Sequence, residues 1–241
     1  MSNIKEEEYE QLEEDKEEEK AIKQQIRLGF IRKVYGILFF QLVITTITIY
    51  FSITTTFFTD YLYPNMAYTI ICILGLFITL IALICCIENS RKVPLNYVLL
   101  IIFTICESYL LTLTTRWFEP VSVLICAGIT CGIVFTLTLY AIFTKTDLTL
   151  CGGTLASLSF ISLILTIIGF FYPSLFYHTL INSFGLFLFS LYLIYDTQLV
   201  IGKNSKFISN DDYILGAIMI YLDLINIFSK VLWFLGKKKK K

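Results

Sequence analysis

The sequence predicts an all-α integral membrane protein of seven hydrophobic helices. Of its 241 residues 56% are hydrophobic, mean hydropathy is +0.75, and the apolar residues gather in seven long runs. A helix needs roughly 20 mostly apolar residues to cross a hydrocarbon core about 30 Å thick, and each run meets that requirement.

The runs are Gly36 to Ile53, Met66 to Ile87, Leu95 to Thr115, Val121 to Thr144, Leu150 to Phe171, Leu175 to Ile201 and Tyr213 to Leu235. Short polar or proline-bearing connectors separate them, among them Tyr63-Pro64-Asn65, Arg91-Lys92-Val93-Pro94, Glu119-Pro120, Tyr172-Pro173 and the stretch from Gly202 to Asp212. One helical bundle over residues 28–236 is the economical reading, with no second domain. It is flanked by an acidic cytosolic tail, residues 1–27, expected to be solvated and either partly helical or disordered, and by a polylysine tail, residues 237–241.

The formal net charge of zero conceals an asymmetry. Residues Glu6 to Lys20 read EEEYEQLEEDKEEEK, whereas the last five residues are all lysine. Such blocks are solvated rather than packed. The first apolar run starts more than thirty residues in and lacks a small-residue cleavage site, so it reads as a retained span rather than a signal peptide.

Basic residues in short loops set orientation. With the N-terminus cytosolic, Lys23, Arg27, Arg32, Lys33, Arg91, Lys92, Lys145, Lys203 and Lys206 all fall on the cytosolic side, and the opposite loops hold only Arg116 and His178. The pattern fits six spans. A seventh full crossing would carry Lys237 to Lys241 to the far face, whereas a re-entrant segment would keep them cytosolic. Irregular backbone at that depth is tolerated only where protein or a water-filled cavity surrounds it.

Seven cysteines, at 72, 85, 86, 106, 126, 131 and 151, lie in or at the ends of apolar runs, without a CxxC pair or zinc-ligand spacing. They read as small buried apolar residues. With a single His, in a loop, metal hydrolase and histidine-based schemes have no support, and nothing implies a cofactor or a nucleic-acid partner.

Function is best indicated by carboxylates at membrane depth, each of which costs about 2.5–3.5 kcal/mol even on the lenient insertion scale. Asp196 lies six residues before Gly202, roughly 9 Å deep, and Asp223 lies ten residues after Tyr213, roughly 15 Å deep from the same face. Adjacent antiparallel spans would bring them together if their facing sides match. A close pair in low dielectric shares a proton and titrates as a unit. Protonated, it ties spans six and seven together; deprotonated, the like charges repel and offer oxygen ligands to a transient hard cation such as Ca²⁺. Each aspartate bonding a different neighbour is the plainer alternative.

Three further acids are candidates for an ion pathway. Glu107, about 20 Å into span three, is either a lining residue or a neutral hydrogen-bond donor. Asp211 and Asp212 open the seventh segment, where an N-cap and helix-dipole role is expected ahead of ion capture. Lys230 lies near the far interface if that helix crosses, and snorkelling accounts for it.

Several ordered motifs carry a resemblance: IRLGFIRKVYGILFFQLVITT at span one, PLNYVLLIIFTICESYLLT at span three, LTLYAIFTKTDLT closing span four, and YDTQLVIG with DDYILGAIMIYLDLINIF at the end. Over about Ile26 to Leu235 the chain resembles the Bax inhibitor/Lifeguard family, and within it the Lifeguard branch that includes the Golgi anti-apoptotic protein. The resemblance implies an endomembrane protein of the Golgi or endoplasmic reticulum, with its C-terminal helix central to the bundle. It also implies Ca²⁺ leak from internal stores, suppression of cell death through regulators in the membrane, and a pH-sensing pair at Asp196 and Asp223. Acidic residues before the last helix, linked in the family to conduction, correspond to Asp211 and Asp212. One departure is Met219, where the family commonly has Asn two residues before the Tyr of YLD, so a polar contact is missing. The N-terminal tail is acidic, unlike the Pro-rich tails of some Lifeguards.

Rival readings fare worse. An intramembrane aspartyl protease pairs a YD motif with GxGD; Tyr195-Asp196 matches the first half, but Asp223 follows Ile220-Tyr221-Leu222 with no glycine, and no Pro-Ala-Leu follows. A seven-helix receptor or retinal protein would require Lys230 deeper in its span. A non-conducting scaffold for cell-death regulators survives, because buried acids do not by themselves make a pore. Lys238 and Lys239, fourth and third from the end, fit a dilysine retrieval pattern if the tail is cytosolic.

Overall fold

The structure is a computed structural model. It describes the backbone of residues 2–85, 91–171, 174–202 and 208–239, and the side chains of these except residues 2–15 and 170. Lys203, Lys206, Lys240, Lys241, Cys86 and the Tyr172-Pro173 connector lie outside the described residues.

Seven helices long and apolar enough to cross a membrane account for nearly all of the described chain. They are α1 (Ser2–Thr54), α2 (Met66–Ile84), α3 (Leu95–Thr115), α4 (Pro120–Phe143), α5 (Gly152–Phe171), α6 (Leu175–Ile201) and α7 (Tyr213–Leu235). Their ends carry the expected chemistry. Asn65 accepts from Ala67 N at α2, Ser174 accepts from Tyr177 N at α6, and Pro120 opens α4, where a missing N–H costs nothing. Gly202 closes α6 with φ 91°, a left-handed conformation that glycine adopts without steric cost.

Helix α7 is the axis of the bundle and packs on α1, α3, α4 and α6. Its buried face runs through Ile214, Ala217, Ile218, Tyr221, Ile225, Phe228 and Leu232, which is helical spacing. Gly216 allows close approach at the start of this face, because a Cβ there would lie 3.3 Å from both Val200 and Val34. The outer helices contrast with it. α2 rests on α3, α5 rests on α6, and both present Ile, Leu and Phe outward. In water such faces would be unfavourable; in a bilayer they match the solvent.

From Ser2 the backbone of the acidic segment is helical and runs unbroken into span one. The acidic run is rich in Glu, Lys and Gln, good helix formers, and span one nucleates it. One expectation requires correction: the re-entrant alternative for segment seven fails. Helix α7 is continuous for 23 residues, and the chain after it pairs with the α3–α4 loop, at the end of the bundle opposite its start. The two termini of the bundle therefore lie at opposite ends, called here near, where α7 begins, and far, where it finishes.

The polylysine segment is not a free tail where it is described. Glu119 N donates to Lys237 O at 2.8 Å, Lys239 N donates to Trp117 O at 2.9 Å, and Lys237 N donates to Ser122 Oγ at 2.8 Å. Lys237 Nζ also pairs with Glu119 at 3.1 Å.

Candidate functional site

Helices α6 and α7 form the most extensive contact in the bundle, and they place the two sequence-predicted aspartates on their facing sides. Asp196 and Asp223 are each only 4% exposed, and their carboxyl groups lie within hydrogen-bonding reach of one another. One oxygen of each, Asp196 Oδ1 and Asp223 Oδ2, is buried without a hydrogen-bond partner among the described residues. Two carboxyls this close in an apolar setting are held together only by a shared proton or a bound cation, since bare like charges there repel. Among the described residues no group of three or more His, Cys, Asp or Glu side chains converges.

Neighbouring side chains lock the backbone beneath the pair. Gln198, fully buried two residues after Asp196, accepts from Leu148 N at 2.8 Å and donates to Thr146 O at 3.0 Å. It pins the end of α6 to the α4–α5 connection. Arg27 of α1 lies across the near end, donating to Asn210 Oδ1 at 3.1 Å, to Ile208 O at 3.5 Å and to Leu199 O. Its guanidinium stacks 4.5 Å from the Phe30 ring centroid and gives a second donor to Leu199 O, which already accepts from Gly202 N in the last turn of α6.

Asp212 behaves differently from its expected role. It occupies the N-cap position of α7, but its side chain caps no α7 N–H. Instead Arg91 donates to both its oxygens, Nε to Oδ1 at 2.7 Å and Nη2 to Oδ2 at 3.0 Å, and Ser209 N adds a bond at 3.0 Å. A bidentate cation satisfies a buried carboxylate better than a single amide. Asp212 also holds the Arg91 guanidinium above its ordinary value, because the hydrogen-bonded carboxylate favours the charged form. Asp211 is exposed beside it, its N–H directed at Ser209 Oγ at 3.4 Å.

Glu107 is half-buried on α3, and no hydrogen bond, ion pair or electrostatic contact links it to either aspartate among the described residues. Lys230 lies along α6, its Cε 2.9 Å from where a Cβ on Gly185 would stand. That glycine supplies the groove for the lysine stem.

Sequence reading missed a buried polar ladder joining α1, α3 and α7. Gln41 Nε2 donates to Thr104 Oγ1 at 3.2 Å, and Thr45 Oγ1 meets Ser108 Oγ at 2.9 Å and Tyr221 OH at 2.8 Å. The signal was present: Gln41 with Thr45, and Thr104 with Ser108, are spaced i, i+4, so each pair shares one helix face.

Residues 27–240 match the family described as Inhibitor of apoptosis-promoting Bax1, almost the whole chain. The chain belongs to the Bax inhibitor family. It is 32% identical over 217 residues to Protein lifeguard 3 of Homo sapiens, covering 88% of this chain and 70% of that protein. It is 31% identical to Protein lifeguard 3 of Mus musculus over 217 residues, with the same coverage. To Bax inhibitor 1 of Schizosaccharomyces pombe it is 34% identical over 218 residues, covering 88% of this chain and 77% of that one. The Bax inhibitor match begins at Arg27, the residue that closes the near end over α6, and takes in the second half of α1 and all of α2 to α7. This Bax inhibitor family member is thus a multi-pass integral membrane protein.

Proposed function

We propose that the protein is a proton-regulated Ca²⁺ leak of internal membranes, Golgi or endoplasmic reticulum, that moderates Ca²⁺ stores and cell-death responses. Asp196 and Asp223 are its gate. The observation that carries this reading is the facing pair of carboxyls, each with one unpartnered buried oxygen, at the contact between α6 and the central helix. A purely structural role would pair those oxygens with donors, as Gln198 is paired a few residues away. The family's description, Inhibitor of apoptosis-promoting Bax1, and the name Bax inhibitor 1 of one relative support the cell-death side of the reading.

In this mechanism the protonated pair holds α6 against α7. Loss of the shared proton sets two negative charges face to face, separates the helices and offers oxygen ligands to a hard cation. Flux therefore rises with pH. Glu107, half-buried on α3, lines the deeper part of the path, and Asp211 stands exposed at the near mouth. Asp212 contributes less to conduction while Arg91 occupies it. The near end, which carries Arg27, Lys33 and Arg91, faces the cytosol. No cofactor takes part; Ca²⁺ is the permeant ion.

Ca²⁺ flux into liposomes that hold the purified protein tests conduction itself. Flux above that of empty liposomes is expected. Flux equal to that of empty liposomes at every pH would end the leak reading and leave the non-conducting scaffold that binds cell-death regulators.

A further inference from the structure

At the far end, away from the aspartate pair, a cavity of about 640 Å³ is lined by Leu113, Arg116, Trp117, Trp233, Lys238 and Lys239, with Thr114 and Phe118 completing its wall. Its construction is specific. The pairing of residues 237–239 with the α3–α4 loop brings Lys238 and Lys239 to the same rim as Arg116. Gly236 permits that turn, because a Cβ there would lie 2.5 Å from the Phe118 ring. Arg116 is held between aromatic faces, 4.9 Å from the Tyr63 centroid and 4.7 Å from that of Trp117. Its Nε is buried and has no hydrogen-bond partner among the described residues. The nearby acid, Glu119, is already paired with Lys237.

Three cations thus border one cavity whose lining contains no acid, and one of them has an orphaned donor. The cavity lies where α3 and α7 end, the depth at which tryptophans settle at a membrane surface. Planar guanidinium and point-charge lysine together suit a phosphate, and the apolar walls of Leu113, Phe118 and Trp233 suit the first part of an acyl chain. We propose that this cavity binds the phosphate headgroup of an anionic phospholipid in the leaflet onto which it opens. The site is independent of the Ca²⁺ reading. It also gives the far-end lysines, which run against the charge distribution of the other loops, a counter-ion.

The chain's two tryptophans, Trp117 and Trp233, both line the cavity, so intrinsic fluorescence reports on its contents directly. The full chain is reconstituted in phosphatidylcholine bilayers containing either brominated phosphatidylglycerol or brominated phosphatidylcholine, and quenching is compared per mole of quencher. The expected result is selective quenching by the anionic lipid. Selectivity should fall about fivefold for each cation removed in Lys238→Gln and Arg116→Gln, and Arg116→Lys should retain part of it. Lys238→Gln alters an exposed side chain, so its result does not depend on Arg116 variants folding. Equal quenching by both lipids overturns the proposal, as does selectivity unchanged in both Gln variants. Soluble glycerol phosphate that displaces the brominated lipid at concentrations comparable to the lipid's own would assign the site to a free phosphate and overturn the lipid.

Discussion

Arg91 grips Asp212 through two parallel contacts, at 2.7 and 3.0 Å, and so ties the approach to α3 to the first turn of α7. The near end of the central helix is thereby anchored from outside, while Asp223, deeper on the same helix, has one oxygen free of any partner. In the proposed gate, α7 moves about this anchored end.

The anchor should not itself respond to pH near neutrality on its cationic side. A cation whose folded value is raised contributes stability that is fully present below its unfolded value and lost only as pH rises through the folded one. For Arg91 that window is far above the neutral range. Arg91→Gln should speed amide exchange, corrected for intrinsic rate, over the first turn of α7, and Arg91→Lys should recover only part of the protection, because lysine cannot make the bidentate contact. Equal protection in Arg91→Gln and wild type would show that the pair anchors nothing.

Gly202 is the position where backbone conformation forces residue type. Gly202→Ala places a side chain at φ 91° and a Cβ 2.7 Å from Arg27 Nε, and should cost about 1–2 kcal/mol. Thermal unfolding in detergent measures it. In an Arg27→Ala background the cost should shrink toward the backbone part alone, a departure from additivity that a double-mutant cycle resolves.

The polar ladder should behave as one coupled unit. Thr45→Val leaves the Ser108 and Tyr221 hydroxyls short of a partner, and Tyr221→Phe removes one of them. Coupling between these two substitutions should be about 0.6–1.7 kcal/mol, the range for hydrogen bonds inside membranes. A coupling of zero would mean that the hydroxyls pass within range without bonding.

The helices were legible because apolar runs of membrane length leave little choice. Leu95–Thr115, Leu175–Ile201 and Tyr213–Leu235 coincide with their sequence-read bounds, and α4 is displaced by one residue at each end. The aspartates were legible because the energetic cost of a buried carboxylate singles them out, and rise per residue estimated their depths. Partners far apart in sequence were less accessible. Nothing local joins Arg91 to Asp212 or Arg27 to Asn210, separated by 121 and 183 positions, so an isolated reading of Asp212 gave an N-cap. The course of α7 was ambiguous for a related reason. Charge counting placed its lysines on the wrong side for a full crossing, and only the contacts of Lys237 and Lys239 with Glu119, Ser122 and Trp117 show how they are accommodated at the far end.

The pH dependence of Ca²⁺ flux in Asp196→Asn and Asp223→Asn, measured beside wild type in liposomes, tests the gate most directly. Flux in wild type should rise with pH, and either substitution, by removing one of the two like charges, should flatten that rise. A pH dependence unchanged in both variants would contradict the account.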